Sequence, residues 1–256
     1  GATEAQELGA MLAGAVAHLR LFEDARQALV YAAPHVGFAV SVDQNQFVSM
    51  AKIRALRRLW ARSQEACSIP ASPTTVHAET SMRMITRLDT ETNILRNTIA
   101  CFAAAAGGAD SISILPHTIA HGLPEGFARR VARNTQLVMM RESHIDHVID
   151  PARGSGGVET LTEDLCEAAW AEFQRIESEG GVLASLKAGH IQARVKASAL
   201  ERANAYKAGS RRIIGTTLYP VKVERQVETV AAAQRPGPDD GVVFCDALVP
   251  TRIDQE

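Results

Sequence analysis

The chain has 256 residues, 46% hydrophobic and 22% charged, with 27 Lys and Arg against 29 Asp and Glu; it can bury a sizeable core, as one large domain or one domain with an appendage. A net charge of -2 leaves no electrostatic footprint for a nucleic-acid backbone, and the longest nearly uncharged small-residue run, IACFAAAAGGA, falls short of the roughly 20 residues that span a bilayer. Cys67, Cys101, Cys166 and Cys245 form no C-x-x-C pair, which excludes a disulfide scaffold and a cysteine zinc site.

In chain order, residues 3–19 place Leu8, Met11, Leu12, Ala15, Val16 and Leu19 at helical spacing behind a cap at Thr3, predicting an amphipathic helix. VGFAVSV (36–42) is an apolar run of strand length. The segment after it is apolar at Phe47, Met50, Ile53, Leu56 and Trp60, predicting a helix capped by Asp43. Strand then helix recurs: SPTTVHAETS (72–81) with a helix over 92–106, and DSISILP (110–116) with a helix over 125–141. Short apolar strands alternating with helices predict a parallel sheet covered by helices. One leading helix and three such units are about half of an eight-unit barrel, so the expected product is an open α/β sheet or a portion of something larger. Residues 158–181 carry Leu161, Leu165, Ala168, Ala169, Phe173 and Ile176 on one stripe, and a second helix runs from Leu183 or Ile191 to Lys207. Both are expected on the outside of the sheet. Residues 220–256, with QRPGPDDG, read as a linker or extended arm.

The stretch RRVARNTQLVMMRESHIDHVIDPARGSGGVE (129–159) sets two histidines and two aspartates beside a glycine-rich turn. A metal site needs His144, Asp146 and His147 to converge. β-Branched Ile145, Val148 and Ile149 ahead of Pro151 predict extended chain instead, with positions 144 and 147 on opposite faces. RGSGGVE lacks the G-x-x-x-x-G-K-[ST] pattern and follows no predicted strand. Its glycines permit a turn into a helix at Val158, although such a loop ahead of a helix can also meet an anion. His117 and His121 follow the strand SISIL at i and i+4, where α/β proteins keep their chemistry. With His144 and His147 they define one hypothesis, a metal hydrolase; the other is that they are ordinary loop histidines. His77 and Glu79 share a facing at the end of TVHAETS, as an acid-base pair or as a structural hydrogen bond. No G-x-S-x-G elbow or catalytic-cysteine signature is present, and no metal ligand set is assigned.

GATEAQELGAMLA, AKIRALRRLWA, FARRVARNTQLVMMRES, VIDPARGSGGVETLT and GTTLYP occur in the order of the methylmalonyl-CoA mutase family, which the chain resembles over roughly residues 1–220. The resemblance implies a (βα)8 barrel that admits acyl-CoA along its axis, joined to a cobalamin domain. Adenosylcobalamin supplies the radicals that interconvert methylmalonyl-CoA and succinyl-CoA. The family's G-Y-H phrase has no counterpart here, and none of the eight histidines has the D-x-H-x-x-G context of the cobalamin signature. The family pattern R-T-H-S-Q-T-S aligns with residues 75–81, keeping His77 but losing the arginine, the serine and the glutamine, the last replaced by Glu79. L-H-T-N-A-L-D-E-A aligns with ISILPHTIA, putting Ser113 in place of the histidine and Ile119 in place of the glutamate. DPWGGSYYVE has become DPARGSGGVE. Such losses remove recognition of a polar ligand. SILPHTIAHGLPE and HAETSMRMITRLDTETNILR look like the small, or beta, subunit of heterodimeric members.

The expected fold is therefore α/β, the C-terminal portion of a (βα)8 TIM-type barrel with additional flanking helices. The partial barrel covers 1–145, a flanking helical region 146–219, and the linker or arm 220–256. The implied function is a small subunit without catalytic residues of its own, supporting the catalytic large (alpha) subunit of this isomerase of propionate metabolism. Adenosylcobalamin belongs to the parent complex, and none is expected on this chain alone. The open sheet edges imply association with the rest of the barrel or with another copy, and the resemblance implies the large subunit as partner. Free thiols and the lack of a signal-peptide pattern point to the cytoplasm, with no nucleic-acid or membrane partner. The alternative is a fragment or divergent paralogue of a catalytic acyl-CoA mutase that retains acyl-CoA binding through Asn45, His77 and Glu79.

Overall fold

Thr3 accepts a hydrogen bond from the Gln6 backbone N–H while the Gln6 side chain accepts from the Thr3 N–H. This reciprocal cap satisfies two amides that a helix start leaves without partners. Helix α1 (Glu4–Asp24) follows and buries Leu8, Leu12, Ala15 and Leu19 along one stripe. The structure is a computed structural model and describes residues 1–231, 241 and 243–254. Its remaining elements are α2 (Leu29–Ala32), β1 (Phe38–Val42), α3 (Gln46–Ala66), β2 (Val76–Thr80), α4 (Thr92–Ala106), β3 (Ser111–Ser113), β4 (Leu123–Pro124), α5 (Gly126–Arg141), α6 (Gly156–Ser178), α7 (Val182–Lys187), α8 (His190–Lys207) and β5 (Thr229–Val230).

The fold is α/β. Strands β1, β2 and β3 form a parallel sheet in that order, with Phe38 opposite Val76 and His77 opposite Ser111. Parallel neighbours need a crossover, and α3 and α4 supply it. Because strand side chains alternate, Phe38, Val40, Val42, Val76 and Ala78 all enter one apolar core with Leu12, Ile53, Leu56 and Trp60. Trp60 stands edge-on to Phe38 with ring centroids 5.4 Å apart. The opposite face carries Ala39, Ser41, His77, Glu79, Ser111 and Ser113, none of them buried. Helix α6 joins this core through Ala169. At Gly9 it comes so near α1 that an added Cβ would lie 2.9 Å from the Cβ of Glu172. Strands β4 and β5 make a separate antiparallel pair, and no described helix is long and apolar enough to cross a membrane.

Several sequence expectations are corrected. The strands over 36–42, 72–81 and 110–116 are shorter: Pro73 and Pro116 flank the pairing and cannot donate to a ladder. The Leu115 N–H is taken by the Thr80 hydroxyl at 2.8 Å. Asp43 does not cap α3. Asn45 occupies that position without a side-chain cap, and Asp43 accepts the Asn45 N–H instead. Residues 144–149 are not a simple extended exit. Glu142 and Ser143 both donate to the Val138 carbonyl, and left-handed His144 (φ 51°) turns the chain into the 3-10 turn Ile145–His147. The rings of His144 and His147, expected on opposite faces, stack at 4.8 Å. The second outer helix is two helices, α7 and α8, broken at left-handed Gly189, and α6 begins at Gly156 rather than Val158. QRPGPDDG lies outside the described residues except for Gly241.

Two ion-pair clusters tie the elements at the sheet. Phe38 N–H donates to Thr75 and Val42 accepts from Ser81, so alternate residue Ser41 turns its backbone groups away from β2. Glu7 of α1 accepts the Ser41 N–H at 2.7 Å, and Lys52 of α3 donates both to Glu7 and to the Ser41 carbonyl. Lys52 is 3% exposed. Arg83, just past β2, pairs with Glu4 and Asp43 and donates to the Ala2 carbonyl. Burial alone would raise the Asp43 pKa, but the Arg83 guanidinium and the Asn45 N–H hold it below the usual carboxylate value. The segment before the C-terminus returns to the same place, with Ile253 N–H on the Arg83 carbonyl.

Lys52→Met strands a partly buried Glu7 carboxylate and is expected to cost about 3 kcal/mol, read as a lowered urea midpoint; Glu7→Gln in the same chain should restore part of it. A midpoint unchanged by Lys52→Met would remove this cluster from the stability account. The folded Asp43 pKa is depressed, so its contribution is present above about pH 4 and fades as pH falls through the lower folded value. Asp43→Asn should therefore be less stable than the parent at pH 7, with the difference narrowing on acidification in thermal melts at successive pH values.

Candidate functional site

Loops at the C-terminal ends of parallel strands are where α/β folds place their ligands. There Ser41, Glu79, Ser81 and Arg83 line a cavity of about 260 Å³, bordered by Gly1 and Ala2 on one side and by Pro250 and Thr251 on another. Its one guanidinium, that of Arg83, is held by Glu4 and Asp43.

The residues singled out in the sequence fall into two groups. His77 and Glu79 share the polar face of β2, as their two-residue spacing predicts. Glu79 lines the cavity. His77 lies opposite Ser111 in the register, its Nδ1 2.8 Å from the Ser111 hydroxyl. Asn45 is exposed at the start of α3 and does not line the cavity. The structure thus brings His77 and Glu79 onto one face and leaves Asn45 apart. Arg83, Lys52 and Glu7 were not singled out. The available signal was Lys52, a charge on the apolar stripe of Ser49, Ile53, Leu56 and Trp60. Arg83 offered only its place directly after a strand.

The remaining motifs have other occupations. His117 is buried, stands edge-on to Phe127, and its Nδ1 has no hydrogen-bond partner among the described residues. Burial lowers its pKa, against the pull of Glu91 and Glu125, and favours the neutral ring. His121 Nε2 sits 2.9 Å from the Arg87 carbonyl and 3.1 Å from the Thr90 hydroxyl. Among the described residues no three His, Cys, Asp or Glu side chains come together as a metal would need. In the glycine-rich loop, the Gly154 N–H donates to Glu159, whose carboxylate also pairs with Arg54. The protein's own carboxylate takes the amide and the cation that an anion would use. Burial pushes the Cys101 thiol up to about 11, which removes it from thiolate chemistry.

The family model for methylmalonyl-CoA mutase matches residues 1–236. The chain is 43% identical to the methylmalonyl-CoA mutase small subunit of Streptomyces virginiae over 237 residues, which is 92% of this chain and 38% of that protein. It is 38% identical to the small subunit of Propionibacterium freudenreichii subsp. shermanii, over 90% of this chain and 36% of that one. To the large subunit of Streptomyces virginiae it is 32% identical, over 90% of this chain and 32% of that one. It spans less than two fifths of the length of these curated relatives. With the family pattern running over nearly its whole described length and relatives above 30% identity across nine tenths of it, the chain belongs to the methylmalonyl-CoA mutase family.

Proposed function

We propose that this chain is part of a methylmalonyl-CoA mutase small subunit and acts as non-catalytic support for the large subunit that interconverts methylmalonyl-CoA and succinyl-CoA. One observation carries this: within a single organism, Streptomyces virginiae, it is 43% identical to the small subunit and 32% identical to the large one. In this proposal residues 1–145 form the C-terminal portion of a (βα)8 barrel, 146–219 a flanking helical region and 220–256 a linker or arm, in a cytoplasmic complex.

The sheet supports the barrel assignment. Across the register Ala39, His77 and Ser111 form one row of the polar face, and Ser41, Glu79 and Ser113 the next. A barrel interior is filled by side chains that its strands turn to one common face. On the outer edge of β3, the backbone groups of Ser111 and Ser113 point away from β2, ready for a further strand.

Adenosylcobalamin belongs to the parent complex in this proposal. The residues at the strand ends do not fit it: the cavity there, about 260 Å³, lies below the roughly 300–1,000 Å³ of small-molecule sites, and its one guanidinium is already paired. No step is routed through the cofactor. A residual acyl-CoA site at Asn45, His77 and Glu79 is the alternative; the common face of His77 and Glu79 favours it.

Co-expressed with a methylmalonyl-CoA mutase large subunit, the tagged chain is expected to carry that subunit through size exclusion, and a lone monomer would overturn the support role. Ser113→Pro removes an outward amide but no bond to β2; it should weaken association with a co-expressed first half of the barrel roughly tenfold with unchanged circular dichroism. Titration of methylmalonyl-CoA into the chain alone should give no heat. Saturable binding lost in His77→Ala and Glu79→Gln would favour the acyl-CoA alternative instead.

A further inference from the structure

A groove of about 780 Å³ runs between α4 and α5, walled by Ile99 and Phe102 on one side and Val131 and Val138 on the other, with Gln46 and Ile145 completing the lining. Its walls are unusually open for packed helices: Ile99 is 40%, Phe102 39% and Val138 44% exposed. Phe127, 64% exposed, lies one turn before Val131 and extends the stripe. The hydroxyls of Thr98 and Thr135 turn back onto the carbonyls of their own helices, at Ile94 and Val131, so the groove offers little polar recognition. A contiguous apolar surface of this kind marks a docking site.

Charge identifies the occupant. Arg130 and Arg141, three helical turns apart on the exposed side of α5, flank the groove stripe, and neither of them pairs with a carboxylate among the described residues. One carboxylate, Glu142, follows at the end of the helix. The wall positions 131, 135 and 138 repeat at helical spacing, and grooves between two helices accept the i, i+3, i+4, i+7 stripe of a third. A second copy docked about a two-fold axis would set the arginine row against itself.

We propose that this groove docks one amphipathic helix of a partner protein, its apolar stripe seated between α4 and α5 and its acidic flank over Arg130 and Arg141. The site is separate from the strand ends and requires neither the barrel nor acyl-CoA.

The test uses two labelled peptides of about 18 residues, long enough to be helical, both with leucine at i, i+3, i+4 and i+7. One is flanked by glutamate and the other by lysine, and each is titrated into the full chain by fluorescence anisotropy at low salt. The glutamate peptide is expected to bind at least roughly tenfold more tightly. Phe102→Ser with Val138→Ser should abolish that binding with unchanged circular dichroism, and Arg130→Glu with Arg141→Glu should reverse the preference toward the lysine peptide. Equal binding, no binding by either peptide, or a preference that survives the charge reversal overturns the proposal. So does a concentration-dependent dimer abolished by Phe102→Ser, which would give the groove to a second copy.

Discussion

The Lys52 ammonium is buried against the Ser41 carbonyl and the Glu7 carboxylate, and the rest of the molecule is arranged around that contact. A lysine in such a place is tolerable only when neutralised and fully bonded. Its partners therefore fix where α1 and α3 sit relative to β1. Once α1 is fixed, α6 can pack against it at the glycine contact, and α6 closes the core. Arg83 repeats the device one loop away, joining the start of α1 to the exits of β1 and β2. Electrostatics set the geometry of the strand ends, and the hydrophobic core supplies the stability behind it.

The two faces of the sheet serve different ends. One is apolar and covered by helices, as parallel sheets require. The other is small and polar, with one histidine and one carboxylate on β2. That second face has the composition of a lined interior and lacks the convergent cations that would hold a CoA phosphate.

Much of the fold was legible in the sequence where periodicity and caps agree. Helix α4 matches its expected bounds, and α5 starts one residue past its glutamate cap. The facing of His77 and Glu79 followed from the period of a strand. Strand ends were not legible, because the bond between Thr80 and Leu115 that ends β3 joins residues brought together only by folding. The loop at His144 misled for a related reason: β-branched propensity is a weak local preference, and the closing bonds of α5 override it. At the site, Asn45 could not be separated from its two companions, since a loop residue takes its direction from the helix that follows. Glu7 and Lys52 lie 45 residues apart, and no local pattern links them.

The inequality of the two sheet edges gives assembly an order in time. In the proposed barrel, a strand arriving at β1 would first have to displace a partly buried, neutralised ion pair from the Ser41 amide and carbonyl, whereas one arriving at β3 would meet the outward groups of Ser111 and Ser113. The encounter at β3 would need no rearrangement, and the one at β1 would wait on the side chains of Glu7 and Lys52. In the proposed barrel, growth of the sheet would therefore be vectorial, with docking beginning at β3 and the lock at β1 opening last.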